Sequence, residues 1–446
     1  MQKTIISFVA LFVVLSCTYQ NNKAEKDPFS KKPNVQFAAS KHPDRILQSV
    51  SEDPARQINL SWRSSSDVET GFIEYSVLSA EITKNTKVET EYATVVPVTF
   101  ENTTDHYFQA KLTGLQPNTS YMMRVGSESH RSEWFTTRTA PETFEPYHFL
   151  YFGDMQNDIL EYGSRTFRKA FSSFPDSRFM IHAGDLVVSS GDDDTWGEWF
   201  YAGNRVFQHI PSLPVAGNSD HYRMQETPVD KRMLFPQWNG IFQLPENGPS
   251  GLENLSYYVD YPKLRVIALY TNFESAGKDE REIYIDKHTK LTDDLFQKQL
   301  SWMEEVLAEN TQPWTVVVMH HPVFTAREER NNELLQEYFL PLFEKHQVDL
   351  VLQGHDHVYA RGINPERRNE SQQLPVYVIS ISGGKMREVN YDYTWIRKAV
   401  ENTQIFSVIH IESNSLKLES FDVTGKLRDS FKIRLTSENE KSLAMN

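Results

Sequence analysis

The chain has a single cysteine, Cys17, among 446 residues. An exported eukaryotic protein of this size would usually carry disulfides, so this scarcity favours a protein of the bacterial envelope. Basic residues are also few: 46 Lys and Arg stand against 60 Asp and Glu, the formal net charge is −14, and no long basic run occurs. Because nucleic-acid-binding proteins concentrate Lys and Arg on one face, we expect no nucleic-acid partner.

The amino terminus lacks an apolar run long enough to span a bilayer. The run from Ile5 to Leu15 is shorter than the roughly 20 apolar residues that a permanent transmembrane helix needs. It ends at Leu15-Ser16-Cys17, which is typical of a bacterial lipoprotein signal. We predict a signal peptide over 1–17, lipidation of Cys17, a flexible tether over 18–32, and a lipid-anchored protein that is periplasmic or at the outer membrane or cell surface. The alternative is a cleaved signal peptide with an incidental cysteine.

Two domains are expected after the signal, given the remaining length. Residues 33–142 contain runs of alternating apolar and polar residues, such as Ile58–Trp62, which predict an all-β domain. This part resembles a fibronectin type III sandwich, with Trp62 as a core tryptophan and Tyr121 as the tyrosine of the corner. Residues 146–435 alternate predicted strands and helices, and the polar tail 436–446 is predicted to be loose.

Five short motifs in the second domain each place a metal-binding side chain directly after an apolar run. The side chains concerned are Asp154 with Gln156, Asp185, Asn218, His320, and His355 with His357. Short apolar runs predict buried strands, and sites assemble where such strands end. A lone Gly-Asp is usually a turn and a lone His-x-His can share one solvated face. Five motifs in this order instead predict a two-metal hydrolytic centre.

The order and spacing of these motifs resemble the calcineurin-like metallophosphoesterases and, among them, the purple acid phosphatases. That family reads Asp, Gly-Asp, Gly-Asn-His, Val-x-x-His and Gly-His-x-His. The resemblance covers about residues 145–435. It implies an α/β fold, a four-layer sandwich of two mixed β-sheets flanked by helices, preceded here by the all-β domain that accompanies purple acid phosphatases. It also implies a ligand set: one metal takes Asp154, Asp185 and His357, and the other takes Asp185, Asn218, His320 and His355.

Two ligand positions depart from the family pattern. Purple acid phosphatases carry an iron-binding tyrosine three residues after the bridging aspartate, and this chain has Val188 there. Other family members carry a histidine two residues after the first aspartate, where this chain has Gln156. The Gln156 amide is either a weak neutral ligand or a group that holds a water. We therefore expect two divalent ions, of Fe, Zn or Mn, rather than iron(III).

A third departure concerns the phosphate and the leaving group. Ser219 stands where the family has a histidine that contacts phosphate and is a candidate to protonate the leaving group. A serine hydroxyl is a poor acid, and loss of a general acid costs roughly 10² to 10⁴ in rate. His221 and His321 are the catalytic candidates that remain, each with a structural role as its equal alternative. Asn218, Ser219 and Arg330 are expected to bind substrate, and Arg361 is expected close to the site.

Together these features predict a phosphoric ester hydrolase that cleaves small phosphate monoesters by attack of metal-activated hydroxide. Two alternatives stay open. One is a phosphodiesterase or nucleotide pyrophosphatase on the same fold, and the other is a catalytically weak lipoprotein that keeps its metals and binds phosphate or glycan. The charged segment 274–290 is either a solvated excursion or a cover over the metal pair.

Overall fold

The computed structural model describes residues 37–83, 86–100, 103–188, 190–221, 236–272, 293–328, 330, 332–367, 374–436 and 440–445. The predicted signal peptide, Cys17, the tether 18–32 and the segment 274–290 lie outside these residues. In the part of the chain that is described, no helix is both long and apolar enough to cross a membrane.

Strands dominate the described residues. They are β1 Asp44–Ser49, β2 Ile58–Ser65, β3 Phe72–Val77, β4 Glu89–Tyr92, β5 Thr94–Phe100, β6 Thr103–Leu112, β7 Ser120–Gly126, β8 Phe135–Arg138, β9 Tyr147–Phe152, β10 Met180–His182, β11 Ser212–Pro214, β12 Tyr257–Tyr261, β13 Leu264–Leu269, β14 Trp314–Met319, β15 Leu350–Gln353, β16 Tyr359–Ile363, β17 Val376–Ile379, β18 Ile396–Val400, β19 Ile405–Glu412, β20 Ser415–Asp422, β21 Leu427–Leu435 and β22 Lys441–Met445. The α-helices are α1 Ser164–Ser173, α2 Asp193–Gly203, α3 Arg205–His209, α4 Pro236–Ile241, α5 Asp293–Ala308 and α6 Glu333–Lys345.

The amino-terminal strands form the all-β sandwich that the sequence predicts. One layer is the four-stranded sheet β4-β3-β7-β8, and the other contains β2, β6 and β5. Trp62 is fully buried between the layers and stacks on Phe108 with ring centroids 5.4 Å apart. The Tyr121 hydroxyl accepts a hydrogen bond from the backbone N–H of Gln116 at 2.8 Å, as in a tyrosine corner.

The outer face of this sandwich is covered at β2, although the alternation in β2 suggests that it is solvated. Asn59 and Ser61 point away from the sandwich core but are buried against the end of α4. Their side chains donate to the backbone carbonyls of Gln243 and Ile241 there. Strand β1 also pairs in parallel with β11, through Ser49 and Ser212. The second layer of the sandwich is therefore continuous with a sheet of the following region, in the order β22-β21-β20-β19-β9-β10-β11-β1-β2-β6-β5.

The second region contains the two mixed sheets of the predicted four-layer fold. The 11-stranded sheet has a parallel centre in which β9, β10 and β11 are neighbours. The 7-stranded sheet runs β12-β13-β14-β15-β17-β16-β18, with β13, β14, β15 and β17 parallel. Side chains such as Phe149 and Leu352 belong to one hydrophobic cluster between the sheets. The α/β fold class is confirmed.

Helices α2 and α3 are separated only by Asn204, whose φ of 32° interrupts the helical backbone. Arg361, which was expected close to the site, binds a carboxylate of the other sheet. It forms an ion pair with Asp429 at 2.6 Å, which joins β16 of one sheet to β21 of the other.

The prediction of a loose tail is wrong for residues 441–445. They form β22, which pairs antiparallel with β21. Lys441 donates to the buried carboxylate of Asp349 at 2.7 Å and lies over the Trp314 ring. Asp349 and Trp314 are distant in sequence, so the polar composition of the tail gave no sign of these two contacts.

A buried ion cluster ties the sandwich to α2. The Arg63 guanidinium is almost fully buried and contacts Asp44, Asp105 and Asp193 at 2.7 to 3.0 Å. Asp193 also binds Arg45 through both carboxylate oxygens, at 2.6 and 2.7 Å. Burial alone would raise the pKa of Asp193, but the two arginines outweigh it and hold the pKa below its ordinary value.

Replacement of Asp193 by alanine tests this cluster. Because Arg63 and Arg45 would then stay buried without their shared carboxylate, we expect the free energy of unfolding to fall by about 3 kcal/mol in urea denaturation. Asp294→Ala is the matched control: Asp294 also lies in the first turn of a helix but pairs with Lys298 in solvent, so its loss should cost less than about 0.5 kcal/mol. Equal losses in the two variants would contradict the role given to Asp193.

Candidate metal centre

The seven predicted metal-binding side chains converge at the carboxyl ends of five strands. Asp154 and Gln156 follow β9, Asp185 follows β10, and Asn218 follows β11. His320 follows β14, and the two histidines His355 and His357 follow β15. The structure brings His320, His321 and His355 into one group of potential ligands, and Asp154, Asp185 and His357 into a second.

The backbone of the motif loops is strained and closely packed. Asp185, His355 and His357 have φ values of 50°, 72° and 59°, in the left-handed region that side chains other than glycine rarely adopt. A Cβ atom at Gly217 would lie 2.4 Å from Asp185 Oδ1, and one at Gly354 would lie 2.4 Å from Asp154 Oδ1. Glycine is required at these two motif positions because the carboxylates occupy that space.

The predicted ligands of the second metal already have the spacing of a coordination shell. The Asn218 Oδ1 atom lies 3.1 Å from His320 Nε2 and 2.9 Å from His355 Nδ1. The two histidine nitrogens are 3.2 Å apart, and Asp185 Oδ1 lies 3.4 Å from His320 Nε2. Metal–nitrogen bonds near 2.1 Å that meet at right angles separate two ligands by about 3 Å. These four side chains therefore fit a transition-metal ion.

The predicted ligands of the first metal are fewer and slightly farther apart. The buried Asp154 Oδ2 atom has no hydrogen-bond partner in the described part of the chain, and it lies 3.5 Å from His357 Nε2. Burial, followed by the neighbouring Asp185 charge, raises the pKa of Asp154 well above its ordinary value. A buried carboxylate oxygen without a donor is suited to a cation.

Two histidines are oriented for metal binding by backbone carbonyls. His320 Nδ1 donates to the Ala183 carbonyl at 2.8 Å, and His357 Nδ1 donates to the Lys385 carbonyl at 2.9 Å. A carbonyl can only accept, so the proton of each neutral ring is on Nδ1. The lone pair is then on Nε2, the atom that faces the other ligands.

Gln156 and Ser219 contact the bridging carboxylate. The Gln156 amide nitrogen donates to Asp185 Oδ2 and lies 3.5 Å from His357 Nε2. The Ser219 hydroxyl lies 3.0 Å from Asp185 Oδ2 and 3.2 Å from Gln156 Oε1, and its backbone N–H donates to Asp185 Oδ1 at 2.7 Å. A half-turn of the Gln156 amide would bring its oxygen to face the first metal group, so a weak ligand role fits this geometry.

Asp220 and Asp356 support the site, and sequence reasoning missed both. Asp220 accepts from the backbone N–H of Gly217 and Leu186, which holds the loops of two motifs together. Asp356 accepts from Ala326 N–H at 2.7 Å and from Arg330. Each carboxylate lies within two residues of a motif ligand, yet Leu186, Ala326 and Arg330 bind it from other loops.

Arg330, predicted to bind substrate, is anchored beside the ligand histidines. Its Nη1 atom donates to the His355 carbonyl and to Asp356 Oδ1, both at 2.7 Å. Its positive charge is one of the factors that lower the pKa of His355 well below the ordinary value, after burial. The guanidinium therefore contributes positive potential at the centre, as a phosphate-binding group would.

The contacts of His221 agree with its alternative, a structural role. Its Nδ1 atom lies 2.8 Å from the Gly217 carbonyl, which can only accept, and its Nε2 atom lies 2.5 Å from the Tyr270 hydroxyl. The ring proton is therefore directed at a backbone oxygen, and the buried ring holds the loop that carries Asn218. His321 differs, because its buried Nε2 atom has no partner among the described residues.

Comparison with known proteins gives the class to which this arrangement belongs. Residues 147–359 match the calcineurin-like phosphoesterase family. Residues 43–139 match the amino-terminal domain of purple acid phosphatases. The chain thus contains a calcineurin-like metallophosphoesterase domain, preceded by a domain of the kind found at the amino terminus of purple acid phosphatases.

The relatives support this assignment at low sequence identity. An uncharacterized protein of Mycobacterium tuberculosis H37Rv is 28% identical over 283 residues, which cover 58% of this chain and 51% of the relative. The chain therefore spans about half the length of that curated relative. Purple acid phosphatase 1 of Ipomoea batatas is 23% identical over 71% of this chain and 68% of its own. The structure of the purple acid phosphatase PPD1 from yellow lupin seeds superposes with a TM-score of 0.69 at 17% identity, covering 91% of this chain and 76% of that chain.

Replacement of Asp185 by asparagine tests the ligand set. An amide cannot supply the negative charge that holds two cations together, so we expect metal content to fall from about two ions per chain to one or fewer. Elemental analysis of the purified protein measures this directly. The exposed Asp176→Asn variant controls for the loss of one carboxylate, and it should keep both ions. Full metal content in Asp185→Asn would exclude the bridging role.

Proposed function

We propose that this chain is a binuclear-metal phosphoric ester hydrolase that cleaves phosphate monoesters. The observation that carries this proposal is the pair of ligand groups on either side of Asp185, one with two histidines and Asn218, the other with Asp154 and His357. When bound, two divalent ions activate a water for attack at neutral pH and polarise the phosphoryl oxygens.

The protein side chains supply positioning and charge around that chemistry. Arg330 is placed to attract the phosphate dianion, and its two hydrogen bonds to the 355–356 turn limit its movement. The Asn218 side chain directs its oxygen at the two histidines, which leaves its amide N–H groups for a substrate oxygen. The net charge of the chain is −14, so local cations rather than the general surface must attract an anionic substrate.

The ligand set favours two divalent ions of Fe, Zn or Mn. Its only negative side chains are Asp154 and Asp185, because Val188 cannot bind a metal and the Gln156 amide is neutral. A phenolate at position 188 would add the negative charge that stabilises iron(III). Absence of the phenolate removes one negative charge, and a divalent ion in place of iron(III) removes one positive charge. The net charge of the loaded centre would therefore equal that of a centre with phenolate and iron(III).

Ser219 makes proton delivery the weak step. Its hydroxyl contacts Gln156 and Asp185, and a serine is a poor acid near neutral pH. Esters whose leaving group is stable as an anion should therefore be the best substrates. The same reasoning keeps a phosphodiesterase or nucleotide pyrophosphatase as the second candidate, because a diester with such a leaving group needs no acid either.

Attachment to the cell envelope completes the proposal. It rests on the apolar run that ends at Cys17, and on a tether over 18–32 ahead of domains at 33–142 and 146–435. Replacement of Cys17 by serine should move the protein from the membrane fraction to the soluble fraction of cells. An unchanged distribution would remove the lipid anchor from the proposal.

A comparison of esters tests the activity. We expect measurable kcat/KM on nitrophenyl phosphate, a much lower value on its bis-ester, and a steep fall across a series of monoesters as the leaving group becomes more basic. The fall should reach roughly 10² or more between aryl and alkyl phosphates, the cost of a missing general acid. Faster cleavage of the bis-ester would support the diesterase, and metal-loaded protein without turnover on either would exclude both.

Replacement of Gln156 by histidine tests the weaker metal position. An imidazole is a stronger ligand than an amide for Fe, Zn or Mn, so we expect the first ion to be retained about tenfold more tightly. Dialysis against a graded chelator series, followed by elemental analysis, gives the loss of each ion. Gln156→Glu adds a carboxylate of the same length and should also retain the ion. Loss of metal in both variants would mean that residue 156 does not face the first ion.

A further inference from the structure

His321 has a hydrogen-bonding pattern that distinguishes it from the ligand histidines. At His320 and His357 the Nδ1 atom faces a carbonyl, which fixes the proton on Nδ1. At His321 the Nδ1 atom faces the hydroxyl of Thr271, at 3.0 Å. A hydroxyl can donate as well as accept, so its other contacts decide which way this bond runs.

The Thr271 hydroxyl donates to His321. Its oxygen already accepts the backbone N–H of His321 at 3.1 Å. Within the described residues, the only acceptor in reach of the buried hydroxyl proton is His321 Nδ1. Nδ1 is therefore the acceptor, and the proton of the neutral ring lies on Nε2.

The Nε2–H group is a buried donor at the edge of the metal centre. It is shielded from solvent and has no partner in the described part of the chain. The His321 ring centroid lies 4.9 Å from that of His320 and 4.4 Å from that of His355. The chain is turned rather than extended at residues 320 and 321, so two adjacent side chains reach the same site, contrary to the divergence expected of a strand.

We propose that His321 holds a phosphoryl oxygen of the substrate through its Nε2–H group, and that Thr271 is the positioning residue that keeps the proton on Nε2. This role rests on the proposed phosphoesterase function. A nitrogen that carries a proton cannot bind a metal, so His321 is a donor to the anion rather than a further ligand. It supplies the phosphate contact that Ser219, engaged with Asp185 and Gln156, does not.

Two substitutions of His321 separate the donor from the rest of the ring. The Gln side chain places an amide N–H close to the position of Nε2, whereas the shorter Asn side chain reaches only the position of Nδ1. In the zinc-loaded protein we expect orthophosphate to bind His321→Asn about 10- to 100-fold more weakly than wild type, as expected for a lost hydrogen bond to an anion. His321→Gln should bind within about threefold of wild type. Calorimetric titration with orthophosphate measures the affinity.

Metal content distinguishes the possible outcomes. Both variants should retain two ions per chain by elemental analysis. Orthophosphate affinity equal to wild type in His321→Asn would overturn the proposal, and loss of one ion in that variant would make His321 a ligand instead. If the wild type binds orthophosphate but cleaves no ester, the hydrolase proposal fails while this one stands.

The position of the proton can be observed without any turnover. In protein labelled with nitrogen-15 at histidine and loaded with zinc, the imidazole shifts report which nitrogen carries the proton, and the signal absent from His321→Asn identifies the residue. We expect a proton on Nε2 in the wild type and in Thr271→Ser, and its redistribution to Nδ1 in Thr271→Val. A proton on Nδ1 in the wild type would refute the assignment.

Discussion

The metal centre depends on a backbone constraint at its motif loops. Three predicted ligands, Asp185, His355 and His357, have left-handed conformations, each of which costs of order 1 kcal/mol. Contacts between the loops hold these conformations: His355 N–H donates to Asp154 Oδ1, and Met155 and Gln156 N–H both donate to the Asp185 carbonyl. These polar groups thus form hydrogen bonds from one loop to another rather than to their own strands. Ligands from both sheets meet because the strands of both sheets end at the same edge.

The convergence of the motif loops also brings several carboxylates close together in the protein interior. Burial and the nearby charge of Asp185 raise the pKa of Asp154 and of Asp220 well above the ordinary value. Asp220 is compensated by three backbone N–H groups, from Gly217, Leu186 and Val187. Asp154 keeps one oxygen without a donor among the described residues. The remaining electrostatic cost is therefore concentrated where a cation would relieve it, which couples metal binding to the stability of these loops.

The sequence was sufficient for the features that depend on local pattern. Apolar runs followed by Asp, Asn or His located the strand ends, and the family resemblance that they carry implied the fold class. Trp62 and Tyr121 indicated the amino-terminal sandwich. Features that depend on contacts between distant residues were not predictable in this way. Lys441 in the strand at 441–445 binds Asp349, the burial of Asn59 and Ser61 requires Gln243 and Ile241, and the Nε2 atom of His221 contacts Tyr270.

The replacement at position 219 and the contacts of His321 are two parts of one change in the site. In the family pattern one histidine is available both to hold the phosphate and to protonate the leaving group. Here Ser219 is directed at Asp185 and Gln156, and the donor that remains near the ligands is on another loop, fixed by Thr271. A neutral imidazole in that position can hold an oxygen, but its low pKa makes it a reluctant source of protons. Under the proposed function, binding of the anion would be separated from acid catalysis, and the range of substrates would narrow to esters whose leaving group departs without a proton.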